Sequence, residues 1–204
     1  MNNIVSFRRG SEEKGGVLMC MPIEKIYGKS ACEVLEEFGN PNEIPINLEG
    51  LLENIGISAL PTDFTALETK LNKGHILGLV LSNRKNAVIY YGKNEKPNRQ
   101  KFTIAHELGH ICSHIAPRSD DYAYIDWRIE EEAETETEKD ANIFAGELLI
   151  PIKKLKEIYL SMKYPSSVEL AKKFGVSVNV MEKRLEYLGV SYYNEKGQAI
   201  TNGN

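Results

Sequence analysis

The chain has 204 residues, which is long enough to bury a proper core, either as one domain or as one domain with a small appendage. Its formal net charge of −4 argues against a general nucleic-acid binder, and no apolar run reaches the roughly 18 residues of a membrane span. The 3 cysteines are scattered and form neither a disulfide framework nor a Cys-x-x-Cys zinc site. We therefore expect a cytoplasmic protein with reduced cysteines.

The N-terminal part predicts an irregular start followed by two helices. Residues 1–22 show no hydrophobic period and no apolar core of signal-peptide length, so we expect a mobile or irregular arm. From 23 to 38 the apolar spacing predicts a helix that ends at Gly39. Asn47 is the expected N-cap of a second helix over 48–55.

Short strand signals come next, at 57–60, 75–81 and 87–91. The last two are expected to pair as an antiparallel hairpin. Asn98 is a candidate N-cap for the helix that follows. The polar stretch 113–129 predicts a loop that lines a cleft.

The helix after the strands carries the pattern His-Glu-x-x-His at His106, Glu107 and His110. Residues four apart project from the same face of a helix, so the two imidazoles can hold one Zn²⁺ ion. Glu107 lies about 100° round the helix, where it can reach a water on the metal without being a ligand. This is the arrangement of a zinc hydrolase.

The surroundings of the motif favour a buried helix over two histidines on a surface. Apolar residues recur at helical spacing around it, at Phe102, Ile104, Ala105, Leu108 and Ile111. Cys112 is expected to project away from His110, so it predicts a small buried apolar residue and not a ligand.

A catalytic zinc usually has three protein ligands, so one more donor is needed. A second strong helix is predicted over 130–150, ended by Pro151, and its first half is rich in acids. Glu138 shares a face with Asn142 beside the apolar stripe, where an inward carboxylate would need a compensating metal. Asp140 is the alternative ligand. Asn142 could hydrogen-bond a ligand histidine and fix its tautomer.

Two blocks of sequence resemble a known family. They are residues 99–110, Arg-Gln-Lys-Phe-Thr-Ile-Ala-His-Glu-Leu-Gly-His, and residues 138–151, Glu-Lys-Asp-Ala-Asn-Ile-Phe-Ala-Gly-Glu-Leu-Leu-Ile-Pro. In order and spacing both blocks resemble the ImmA/IrrE family of metallo-endopeptidases, and the resemblance covers residues 45–190. It implies an α+β, zincin-like fold in which a small antiparallel or mixed sheet packs against the active-site helix.

The same resemblance implies a zinc centre and a class of substrate. His106, His110 and Glu138 would bind one Zn²⁺ per chain, and Glu107 would act as the general base. The family's substrates are helix-turn-helix repressors, often encoded beside the protease on phages and other mobile elements. Some members act instead as stress-response regulators or toxin–antitoxin partners.

Further side chains are candidates for the cleft. His114 follows the motif by about one turn and is expected beside the metal site, because a fourth protein ligand would displace the water. Tyr122, Tyr124 and His114 are candidate donors to the oxyanion. As the resemblance implies, an extended substrate is expected to pair with a strand of 75–91. His75 itself is expected to be structural or exposed.

The C-terminal part predicts a helix-turn-helix-like segment. Ser166 and Glu169 form a capping-box pattern, Gly175 is the expected turn, and Ser177 is the expected cap of a second helix. A small hairpin is expected over 192–200. The segment supports a rival hypothesis, a zinc-stabilised DNA-binding regulator without peptidase activity, although its second helix carries charges of both signs.

The sequence as a whole predicts a zinc-dependent endopeptidase that cleaves a protein substrate and does not associate with membranes. An acidic stretch before residue 151 is followed by a stretch with more bases than acids. This change in charge is a reason to treat the C-terminal part as a separate unit. We divide the chain into an N-terminal arm (1–22), a zincin-like metallopeptidase domain (23–151), a helix-turn-helix-like segment (152–190) and a tail or small hairpin (191–204).

Overall fold

The computed structural model describes residues 23–72, 74–82, 86–115 and 135–201, and the backbone of 124–129. In chain order the elements are α1 (Ala31–Phe38), α2 (Leu48–Ile55), β1 (Ser58–Thr62), α3 (Thr65–Leu71), β2 (Ile76–Ser82), β3 (Ala87–Gly92), α4 (Pro97–Ser113), β4 (Tyr124–Ile129), α5 (Glu136–Leu149), α6 (Ile152–Ser161), α7 (Ser167–Phe174), α8 (Val178–Tyr187), β5 (Tyr192–Tyr193) and β6 (Ala199–Ile200). The chain is therefore mixed α+β, as expected. The N-terminal arm lies outside the described residues. Within the described ranges, no helix is long and apolar enough to span a membrane.

The first predicted helix is broken near its start. Instead of one helix from residue 23, a turn of 3-10 helix at Ile23–Lys25 is followed by Gly28 in the left-handed region, with φ of 81°. The helix α1 begins only after Ser30, whose hydroxyl accepts from Glu33 N while Ser30 N donates to the Glu33 carboxylate. This reciprocal cap starts the helix where the apolar spacing alone does not.

The caps of α2 confirm the sequence prediction. Asn47 accepts a hydrogen bond from Gly50 N at 3.0 Å, and Gly56 ends the helix in the left-handed conformation. On the buried face lie Leu48, Leu51, Leu52 and Ile55. Both ends of this helix are therefore fixed by local chemistry that the sequence displays.

The main sheet has four strands in the order β1-β3-β2-β4. The predicted hairpin is confirmed, since β2 pairs antiparallel with β3, while β1 lies parallel to β3. The stretch predicted as a loop contains β4, which pairs antiparallel with β2, so that prediction is wrong over 124–129. Ile125, Trp127 and Ile129 alternate there with charged residues, a strand pattern that the polar neighbourhood conceals.

The sheet order also corrects the prediction for the substrate strand. Both β2 and β3 are paired on each side, so no strand within 75–91 offers a free edge. The edges of the described sheet are β1 and β4.

The connection from β1 to β2 contains the short helix α3, which the sequence analysis did not predict. None of its residues is buried, and no apolar period marks it as a helix.

The helix α4 starts earlier than the sequence indicated, and α5 starts later. Asn98 does not cap α4, because the helix begins one residue before it, at Pro97, where a fixed φ suits the first turn. The helix α5 begins at Glu136, since Thr135 is extended and accepts from Glu138 N at 3.2 Å. The predicted start at 130–134 lies outside the described residues.

The helix α4 forms the centre of the core. It packs on β2 and β3 with one side and on α5 with the other. Gly109 allows the close helix contact, because a Cβ there would lie 3.1 Å from Phe144 Cβ and 3.2 Å from Ala141 Cα. Cys112 is fully buried, and burial raises the pKa of its thiol to about 12, so it is the inert apolar residue that we expected.

The C-terminal part continues from α5 through three short helices. The helix α7 ends at Gly175, with φ of 65°, and Ser177 caps α8 by accepting from Val180 N. The capping box at Ser166 is wrong, since its side chain makes no cap hydrogen bond and its backbone bridges to Tyr193 instead. The predicted hairpin is confirmed as β5 and β6. The helix-turn-helix assignment and the four-part division stay predictions.

His75 proves to be structural, because its ring joins two carboxylates from different elements. Nδ1 lies 2.9 Å from Glu68 Oε1 on α3, and Nε2 lies 2.7 Å from Glu95 Oε1 in the turn after β3. The hydrogen bond to Glu95 raises the pKa of His75 above its ordinary 6.5, burial opposes that rise, and Glu68 adds to it.

We expect this bridge to make stability depend on pH. A raised folded-state pKa contributes stability that is fully present below the ordinary pKa and is lost as pH rises through the raised value. The melting temperature of wild type should therefore exceed that of His75→Gln by more at about pH 5.5 than at about pH 9. A difference that grew with pH would contradict this assignment.

Candidate metal centre

Two histidines of α4 meet at one point because they are four residues apart on a rigid buried helix. His106 is 0% and His110 is 2% exposed, and their Nε2 atoms lie 2.9 Å apart. Two nitrogen lone pairs at this distance repel unless a proton or a cation lies between them. The helix therefore prepares a pair of nitrogen donors for a shared cation.

Glu138 completes the group from the neighbouring helix. Its Oε2 lies 3.1 Å from His106 Nε2, and its Oε1 lies 3.1 Å from His110 Nε2. Within the described residues, these three side chains form the one cluster of histidine, cysteine or acidic groups whose ligand atoms could hold a metal ion together. Two imidazoles and one carboxylate are a donor set that catalytic zinc accepts, so the residues fit the ion.

The electrostatics of the cluster keep Glu138 ionised. Burial alone would raise the pKa of its carboxyl, but the hydrogen bonds and charges of His106 and His110 outweigh burial and hold the pKa well below its usual range. Asp140, the alternative ligand, is exposed and does not belong to the cluster. The local reason is the helical period, which directs Glu138 toward α4 and Asp140 toward solvent.

Asn142 lies one turn beyond Glu138 and contacts a ligand histidine from the outside. Its Oδ1 lies 3.0 Å from His106 Nδ1. When Nδ1 carries the proton and donates it to Asn142, the lone pair of Nε2 is left facing Glu138 and His110. The structure thus brings Asn142 to the place that the sequence suggested.

Replacing Asn142 with alanine should weaken metal binding by about 10- to 100-fold, because His106 loses the partner that fixes its tautomer and ring orientation. Zinc affinity measured by competition with a chromophoric chelator would show this. Asn179→Ala, at an exposed position of α8, is the matched control. Unchanged affinity in the Asn142 variant would contradict the orienting role.

Glu107 lies on the sheet side of α4. It is 1% exposed, and its carboxylate packs against Gly78 of β2 and next to Thr103, one turn earlier in the helix. Sequence reasoning found Glu107 but missed Gly78. A glycine inside a strand pattern is a signal of close approach, but it does not tell which side chain approaches.

The remaining candidates are placed only in part. His114 is half-buried beside the cluster, with its ring centroid 5.6 Å from that of His110. Its Nε2 is buried and has no hydrogen-bond partner within the described residues, and it is not a member of the metal cluster. Tyr122 and the side chain of Tyr124 lie outside the described residues.

Comparison with known proteins agrees with this geometry. The family model for the IrrE N-terminal-like domain, a peptidase domain, matches residues 62–186. Searches of the curated proteins and of the solved structures gave no match. The matched range holds His106, His110 and Glu138 and spans more than half of the chain. This protein therefore belongs to the ImmA/IrrE family of metallopeptidases.

Proposed function

We propose that this protein is a zinc-dependent endopeptidase and that its substrate is a helix-turn-helix repressor of a phage or another mobile element. The observation that carries the proposal is the convergence of three ligand groups. The Nε2 atoms of His106 and His110 lie 2.9 Å apart, and each lies 3.1 Å from a carboxylate oxygen of Glu138. Family membership supports peptidase chemistry. The repressor as substrate rests on the family resemblance of the two sequence blocks.

In the proposed reaction the metal would act as a Lewis acid, and side chains of the protein transfer the proton and bind the oxyanion. Zn²⁺ held by His106, His110 and Glu138 would supply a Lewis acid that polarises the scissile carbonyl and lowers the pKa of water. Glu107 accepts the proton of the attacking water and then donates it to the leaving amine. His114 is the described side chain whose buried Nε2 is available to donate to the oxyanion.

The sheet suggests how an extended substrate would lie. Glu107 packs against β2, and β4 is the edge strand next to β2. A peptide added to β4 would extend the sheet at the edge next to the strand that Glu107 contacts, and main-chain hydrogen bonds would hold it extended. We therefore place the substrate on β4 and not on a strand within 75–91.

The test is a cleavage assay on a proteome-derived peptide library and on any helix-turn-helix protein encoded beside the gene. The same preparation is analysed for metal. We expect about one zinc per chain, cuts inside peptides, loss of cleavage with a chelator and recovery when zinc is returned. A zinc-loaded protein that cut neither probe would refute the proposal, and removal of terminal residues alone would refute endopeptidase action.

The rival function, a zinc-stabilised DNA-binding regulator, is favoured by the packing of α7 and α8 around the Gly175 turn. The exposed residues of α8 give it little support. They are Asn179, Lys183, Glu186 and Tyr187, a set of mixed charge where phosphate contacts need bases. Retardation of genomic DNA fragments at moderate salt, by a zinc-loaded protein that does not cut peptides, would favour the rival.

A further inference from the structure

Gly78 occupies the point where β2 comes closest to the motif helix. A Cβ atom built on Gly78 would overlap Glu107 Oε1, and it would lie 2.7 Å from Thr103 Cγ2 and 3.0 Å from Glu107 Cδ. Contacts this short do not occur between real side chains without movement. Alanine, the smallest side chain, is therefore already too large for this position.

Neither β2 nor α4 can move away from this contact easily. Val80, which lies two residues after Gly78 on the same face of β2, is 0% exposed. On α4, Ala105 and Leu108 are also 0% exposed. These residues belong to one packed core, so the helix cannot withdraw from the sheet without opening a cavity. The Glu107 side chain is the part of the contact that can rotate away.

An irregularity of the sheet coincides with the glycine. Along β4, Ile129 pairs with Ile76 and the next residue, Arg128, pairs with Gly78, which leaves Leu77 as an extra residue on β2. Such a bulge bends a strand and changes the direction of the groups that follow it. The backbone at Gly78 is therefore positioned by the bulge on one side and by the Glu107 carboxylate on the other.

We propose that Gly78 is a positioning residue, whose missing side chain creates the space that holds the Glu107 carboxylate in place beside the metal cluster. The proposal rests on the proposed role of Glu107 as general base. A Cβ at this position would force the carboxylate out of the contact with β2 and leave His106, His110 and Glu138 undisturbed, since none of these three is among the atoms nearest to that Cβ. The chain would keep its metal and lose its base.

The first experiment measures the contact itself, without metal and without substrate. Gly78→Ala is made in wild type and in a Thr103→Ser, Glu107→Ala background, which removes the atoms that the new methyl would meet. In urea with a chelator present, we expect Gly78→Ala to raise the unfolding equilibrium constant about tenfold or more in wild type and about twofold or less in the background variant.

Gly92→Ala is the matched control for this cycle. Gly92 is also a buried strand glycine, but a Cβ there would come close to Glu95 Cγ, at 3.0 Å, and not to Thr103 or Glu107. We therefore expect Gly92→Ala to have the same effect on unfolding in both backgrounds, with peptide cleavage unchanged. If Gly78→Ala does not fold in wild type but folds in the background variant, the contact is confirmed; if it folds in neither, or costs the same in both, the proposal is overturned.

The second experiment separates positioning from a general structural effect. Gly78→Ala should bind Co²⁺ with the same stoichiometry as wild type and within about threefold of its affinity, since the ligands are intact. Its Co²⁺ absorption spectrum should match that of Glu107→Gln, because the carboxylate is displaced from its place against β2 in the first variant and replaced by an amide in the second. A spectrum identical to wild type would overturn the proposal.

The third measurement uses a peptide that wild type cuts, taken from the proteome-derived library. We expect kcat of Gly78→Ala to fall by about a hundredfold or more with KM nearly unchanged, as for loss of a general base. A rise in KM at constant kcat would overturn the positioning role. If wild type cuts no peptide, the proposed function fails, and the unfolding cycle and the Co²⁺ spectrum still decide the inference about Gly78.

Discussion

Glu107→Gln is expected to reduce kcat for peptide cleavage by about 10²–10⁴-fold while the protein keeps its metal. Glutamine has the shape of glutamate, so it fills the buried space against Gly78. It cannot accept a proton from water at neutral pH, and the base is lost although the packing remains. Metal content and the rate of cleavage measured on the same preparation check both halves of this prediction.

The control for this variant is Glu136→Gln, at an exposed position in the first turn of α5. It removes one negative charge from the same neighbourhood and should leave kcat within about twofold of wild type, since exposed charges are screened. Cleavage by Glu107→Gln at the wild-type rate would show that another group takes the proton. Loss of metal from that variant would show that Glu107 supports the cluster itself.

The sequence predicted the elements whose ends and faces are fixed locally. The helix α2 has both caps and its apolar face visible in the sequence, and the structure confirms all three. The break before α1 was missed because the apolar spacing continues across it, although Gly28 and the Ser30/Glu33 capping-box pattern mark it in the sequence. The strand β4 was missed because its alternation of apolar and charged residues is short and lies in a polar stretch, and the strand is fixed by pairing with β2, a contact between distant residues.

The residues of the candidate site also differ in how far the local sequence predicts them. His106 and His110 follow from one helix, where a spacing of four fixes their common direction. Glu138 had to be chosen among many acids, and the choice depended on its position relative to the apolar stripe of α5. Gly78 could not be chosen at all, because its role lies in an absent side chain and in a neighbour that is 29 positions away in the chain.

Glu138→Ala is expected to abolish the stabilisation of the protein by zinc. At a free zinc concentration of about 1,000 times the wild-type dissociation constant, binding stabilises the folded state by about 4 kcal/mol. A change of 1 kcal/mol shifts the melting temperature of a chain of this size by about 2–4 °C, so zinc should raise that of wild type by about 8–16 °C. A variant whose affinity is about 1,000-fold weaker would gain only about 0.4 kcal/mol under the same conditions.

The control is Asp140→Ala, which removes an exposed acid two positions away on the same helix. It should respond to zinc as wild type does, because Asp140 lies outside the metal cluster. Thermal unfolding of the three proteins with zinc and with a chelator gives the comparison. If Asp140→Ala lost the zinc response and Glu138→Ala kept it, the assignment of the third ligand would be reversed, and the convergence of Glu138 on the two histidines would be a packing contact of the metal-free chain.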